Sequence, residues 1–86
     1  LVVHDNERLT RLRLKALKRV KGDIVITNNP ALESLVSLKS LEKVGGDFKV
    51  CDNGSLPATH PLKIRDMIMD AGGIGGDVTI TDNKGF

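Results

Sequence analysis

The stretch GGIGGD at Gly72–Asp77 has the G-G-x-G-x-D spacing of calcium-binding β-roll repeats. Such a nonapeptide carries a large apolar residue at its eighth position and works in tandem. Here that position is Thr79 and no second copy follows. A helix stop followed by a strand-opening Gly-Asp explains every residue of the stretch. Asp23, Asp47 and Asp77 recur at such openings; calcium would need six or more converging oxygens, and turn capping is the role expected of them. His4 and His60 are far apart, and Cys51 is the single cysteine, so no zinc ligand set and no internal disulfide can be assembled. No Gly-Lys-Ser/Thr and no helix-opening G-x-G-x-x-G is present to cradle a phosphate. Asn53-Gly54-Ser55 is a glycosylation sequon, but Asn53 belongs to a repeated column in which its amide is expected to be occupied. No acid, base and nucleophile can be named together. The expectation is a non-catalytic protein with no cofactor and no metal.

Charge is the next chemistry on offer. Thirteen Lys/Arg against eleven Asp/Glu leave +2, with the basic excess between Arg8 and Lys21. There Arg11, Arg13 and Lys15 interleave with Leu9, Leu12, Leu14, Leu17 and Val20. This basic face could attract a polyanion. The modest net charge, and a lack of aromatics to stack on bases, argue against nucleic acid as the partner. A solvated face over inward leucines is the default reading.

The elements that position these residues are repeats. GDIVITNN at Gly22–Asn29, GDFKVCDN at Gly46–Asn53 and GDVTITDN at Gly76–Asn83 are three copies of one unit, and LVVHDN at Leu1–Asn6 matches its latter part. The connectors LTRLRLKALKRVKGD and LESLVSLKSLEKVGGD also align, with one residue inserted. Alternation over Ile24–Thr27 predicts a short strand. A connector of this length returns the chain so that successive strands run parallel and in register. The pairs Leu1/Val3, Ile24/Ile26, Phe48/Val50 and Val78/Ile80 should point inward, with Leu35, Leu38, Leu41 and Val44 forming a second wall and Leu12, Leu14, Leu17 and Val20 stacked beside it. Asn6, Asn29, Asn53 and Asn83 should form a buried, satisfied ladder. The glycine before each Asp is expected to allow a tight turn. Between Asn53 and Gly76 a helix is expected, capped by Thr59 or His60, with Pro61 in its first turn and Gly72 at its end. Ile64, Met67, Ile68 and Ala71 should face the core, with Lys63, Asp66 and Asp70 in water.

The expected architecture is an α/β repeat, a short right-handed parallel β-helix or leucine-rich-repeat-like solenoid of about four coils. The expected division is a partial coil 1–6, coils 7–29 and 30–53, and a helix-bearing capping coil 54–86, all in one truncated domain. No run of about 18 apolar residues is present to form a membrane span.

The unit Gly-Asp-hydrophobic-x-hydrophobic-x-Asx-Asn, followed by PALESLVSLKSLEKVGGD, resembles the leucine-rich units of the receptor L-domain superfamily, especially its microbial and fungal cell-surface versions. The closing IRDMIMDAGGIGGDVTITDN is similar to the final helix-bearing coil of such domains. The resemblance implies a right-handed β-helix-like solenoid, an extracellular or cell-surface location, and binding of a protein or glycan. It supplies no catalytic residues. The chain lacks the framework cysteines of the animal receptors, so hormone reception is not implied. The expected contact face is the outer side of the sheet, with Val2, Val25, Lys49 and Thr79 in one row and His4, Thr27, Cys51 and Thr81 in the next. The alternatives are a structural spacer or cell-envelope assembly element that associates end to end, and third a basic polyanion or nucleic-acid binder.

Overall fold

The computed structural model describes residues 1–12 and 14–84. Each repeated GD-x-x-x-x stretch becomes a strand, because alternating β-branched residues suit a pleat buried on one face. Strand β1 spans Val2–His4, β2 Arg19–Val20, β3 Ile24–Thr27, β4 Lys43–Val44, β5 Phe48–Cys51 and β6 Val78–Thr81. One sheet has the order β1-β3-β5-β6, with all neighbours parallel. Its register aligns Ile24 with Phe48 and Val78, and Ile26 with Val50 and Ile80. A second parallel pair joins β2 to β4, and Ile74 bridges onto Val44 beside it. Among the described residues the architecture is a small α/β fold with parallel strands in two sheets, one α-helix and no closed barrel.

The core lies between the sheets. Ile24, Ile26, Phe48 and Val50 are fully buried, as are Leu35, Leu38 and Val44. Three-residue spacing puts Leu35, Leu38 and Leu41 on one face of a 3-10 helix, which has three residues per turn, and Val36–Ser40 adopts that helix. The inserted residue of the second connector falls here. Arg11 bridges Ser34, 23 positions on, whereas Arg19 pairs with Lys43, 24 positions on. Leu12 is buried, but Leu14, Leu17 and Val20 are only half-buried; among the described residues β2 pairs on one side alone, with β4.

Helix α1, Thr59–Ala71, packs Pro61, Ile64 and Ile68 inward, with Met67 half-buried against the core. Two expectations fail here. Neither Thr59 nor His60 caps the helix: its N-cap is Ala58, with no side-chain hydrogen bond. The first turn is held instead through His60, whose Nδ1 accepts the Leu35 backbone N–H (3.2 Å). Ala71 is exposed rather than buried. The helix turns away at that point, and it is the Gly72 backbone that lies against the Glu42 carbonyl and the Lys43 side chain. The carbonyl of Ile68 accepts from both Gly72 (2.9 Å) and Gly73 (2.7 Å), and Gly73 takes φ +91°, which a side chain would resist.

The Gly-Asp pairs work differently from a simple tight turn. The Asp23 carboxylate accepts the Asp47 backbone N–H (2.8 Å), and Asp47 accepts that of Asp77 (2.9 Å). A Cβ on Gly46 or Gly76 would overlap the carboxylate oxygen of the preceding unit's Asp. Close approach between repeats, with a carboxylate that a Cβ would displace, favours glycine there. No described helix is long and apolar enough to cross a membrane.

Candidate functional site

The outer face of the four-stranded sheet collects the residues expected to make contact. The register places Val2, Val25, Lys49 and Thr79 across the strands in one row, and His4, Thr27, Cys51 and Thr81 in the next. Val2, His4, Lys49, Thr79 and Thr81 are exposed, and Val25 and Thr27 are half-buried. Cys51 corrects the expectation: it stands in its row but is only 6% exposed. Its small side chain lies between Thr27 and Thr81 on the adjacent strands, with Asp52 following it. Burial, and then the Asp52 carboxylate, push the thiol's pKa up. It is therefore held as the thiol, which is a poor nucleophile.

Below these rows runs the asparagine ladder. Asn6 Nδ2 donates to Asn29 Oδ1 (3.0 Å), Asn29 to Asn53 (3.1 Å), and Asn53 to Asn83 (3.1 Å). Each also donates to strand carbonyls: Asn53 reaches Ile26 (3.0 Å) and Cys51 (2.9 Å), and Asn83 reaches Val50 (3.0 Å). The side-chain oxygens of Asn29, Asn53 and Asn83 each accept the backbone N–H of the preceding unit's Asn as well. Asn29, Asn53 and Asn83 are buried, whereas Asn6 is exposed at the end of the ladder. The ladder fixes the strand ends at a common level, so the outer rows stay in line. The Asn53 amide of the sequon is enclosed in it.

Sequence reasoning missed the column just before the ladder. Asp5, Asn28, Asp52 and Asp82 all adopt left-handed backbone, with φ between 52° and 57°. The signal was present in the pairs Asp5-Asn6, Asn28-Asn29, Asp52-Asn53 and Asp82-Asn83. Apart from glycine, Asp and Asn are the residues that tolerate this conformation best. The column borders the outer face with exposed carboxylates. Asn28 donates to Asp5, and His4 Nδ1 meets the other Asp5 oxygen. These hydrogen bonds, His4 first, hold the Asp5 carboxyl below the usual range.

No family model matches this chain, and no curated protein or solved structure proves similar to it.

The arrangement offers an ordered platform. Hydroxyls of Thr79 and Thr81, the Lys49 ammonium, the His4 imidazole and a carboxylate border stand on one face of a sheet whose strands are spaced about 4.8 Å apart. Such a surface can hydrogen-bond an extended partner at several points. Among the described residues no group of three His, Cys, Asp or Glu converges to hold a metal ion. Of the basic face, Arg11 and Lys15 are exposed, and Arg13 lies outside the described residues.

Proposed function

We propose that the chain is a non-catalytic recognition module, a short right-handed solenoid of receptor L-domain type that presents the outer face of its parallel sheet to a protein or glycan at a cell surface. The observation that carries this reading is the register: equivalent residues of successive repeats stand side by side over four strands. Parallel crossovers are right-handed in nearly all sheets, and stacked repeats present functional rows on such faces. The coils would number about four, counting the unit that ends at Asn6.

The test is binding to a glycan array and a panel of surface proteins, with the chain compared to its Lys49→Glu/Thr79→Arg/Thr81→Arg variant. All three positions are exposed, so the variant should fold normally, which circular dichroism would establish. Loss of the wild type's specific hits supports the reading; hits that survive in the variant refute it.

A second reading rests on one observation. Among the described residues, β1 pairs only with β3, and β6 only with β5. Each therefore presents an open edge, and open edges template further strands. A spacer assembling end to end would show concentration-dependent sedimentation that the outer-face variant leaves unchanged.

A further inference from the structure

A groove of about 220 Å³ lies between the 3-10 helix and α1, on elements that the outer sheet face does not use. Leu35, Ile64 and Met67 make its floor, and Val36, 59% exposed, stands at its lip. Lys39 and Lys63 line it from opposite elements, and no carboxylate is among the lining residues. Asp66 of α1 is paired with Arg65 (2.8 Å). His60 also lines the groove, and because its Nδ1 accepts the Leu35 N–H, a neutral ring carries its proton on Nε2, as a donor. The polar side chains that line this apolar groove are thus donors and cations alone.

Size distinguishes the kinds of occupant. The groove exceeds the roughly 150 Å³ of a cavity that takes one benzene ring. It falls short of the roughly 300–1,000 Å³ of sites that enclose a whole small molecule. It has room for one large side chain whose backbone remains outside. Interfaces concentrate their binding at such anchor pockets, surrounded by polar contacts that exclude water.

We propose that this groove docks a partner polypeptide through a single large apolar side chain flanked by carboxylates, which Lys39 and Lys63 receive. The site is independent of the outer sheet face.

The probe is an acetylated, amidated pentapeptide with phenylalanine between two pairs of glutamates, titrated into the isotope-labelled chain by NMR. Shifts should centre on Leu35, Val36, Lys39, His60 and Ile64. Replacing the phenylalanine by alanine, or the glutamates by lysines, should weaken binding by roughly tenfold or more. A Lys39→Glu/Lys63→Glu variant, altered only at exposed positions, should invert the preference toward the lysine-flanked peptide. The outer-face triple variant should bind the glutamate peptide as the wild type does. Shifts centred elsewhere, or equal affinities for the three peptides, would overturn the proposal. So would 4-phenylbutyrate binding as tightly as the pentapeptide, since the groove would then be a small-molecule site.

Discussion

Cys51 and Phe48, three residues apart on one strand, show how far alternation carries. Phe48 is inward and fully buried between Ile24 and Val78, and Lys49 is exposed. Phe48→Ala should cost about 3–5 kcal/mol in urea unfolding, while Lys49→Ala should change little; equal effects would refute the assignment. Alternation also placed Cys51 outward, but which face a side chain takes does not say what covers it. The covering groups, Thr27, Thr81 and Asp52, come from other strands and the following turn, which no periodicity within β5 reveals. The raised thiol pKa has a consequence with a definite sign. Folding favours the neutral thiol, so this contribution is complete below the unfolded-state value of 9.0 and is lost as pH rises through the higher folded value. The stability difference between the wild type and Cys51→Ala should therefore shift against the wild type above about pH 9. A pH-independent difference would contradict the burial. Ser37 presents the opposite case. Its hydroxyl is buried with no hydrogen-bond partner among the described residues. Ser37→Ala should be neutral or stabilising by up to about 1 kcal/mol, and a clear loss of stability would show that the hydroxyl has a partner.

At the scale of elements, the asparagine ladder and the Asp-to-glycine contacts link one repeat to the next. Asn53→Ala removes the acceptor of two Asn29 donors and a donor to the carbonyls of Ile26 and Cys51. Several buried groups are left unpaired at once, so the loss should be about 3 kcal/mol or more. Asn6→Ala, at the exposed end, should cost well under half of that. Gly46→Ala should cost about 1–3 kcal/mol, because its Cβ displaces the Asp23 carboxylate from the Asp47 N–H, whereas Gly22, with nothing within 4 Å, should tolerate alanine. Denaturant midpoints of the two variants check this, and equal midpoints would contradict it. The ladder, the strand register and the helix end at Gly72 were all legible, because each repeats or follows a local rule. The helix cap was not. Thr59 and His60 matched a capping pattern, but a tertiary contact to Leu35 took His60 instead. Ala71 matched the helical period, yet periodicity does not register that the helix ends there with this side chain exposed.

Over the whole molecule, the chain has a Cα radius of gyration of 11.5 Å, near the roughly 12 Å expected for a compact chain of this length, and Phe48 is the one aromatic residue in its described core. Layers of Leu, Ile and Val suffice because each repeat is covered by its neighbours. The central proposal is that the units act as interchangeable coils of a solenoid. In such a stack each added repeat contributes its own stability and one more interface. The direct measurement is urea unfolding of a chain in which residues 30–53 are duplicated in tandem. The second copy would carry its own 3-10 helix, strand and ladder asparagine, and α1 would pack on it as it packs on the original. The account predicts a folded protein with a higher midpoint and a larger m-value, since more surface is exposed on unfolding. An unfolded or less stable product would contradict it.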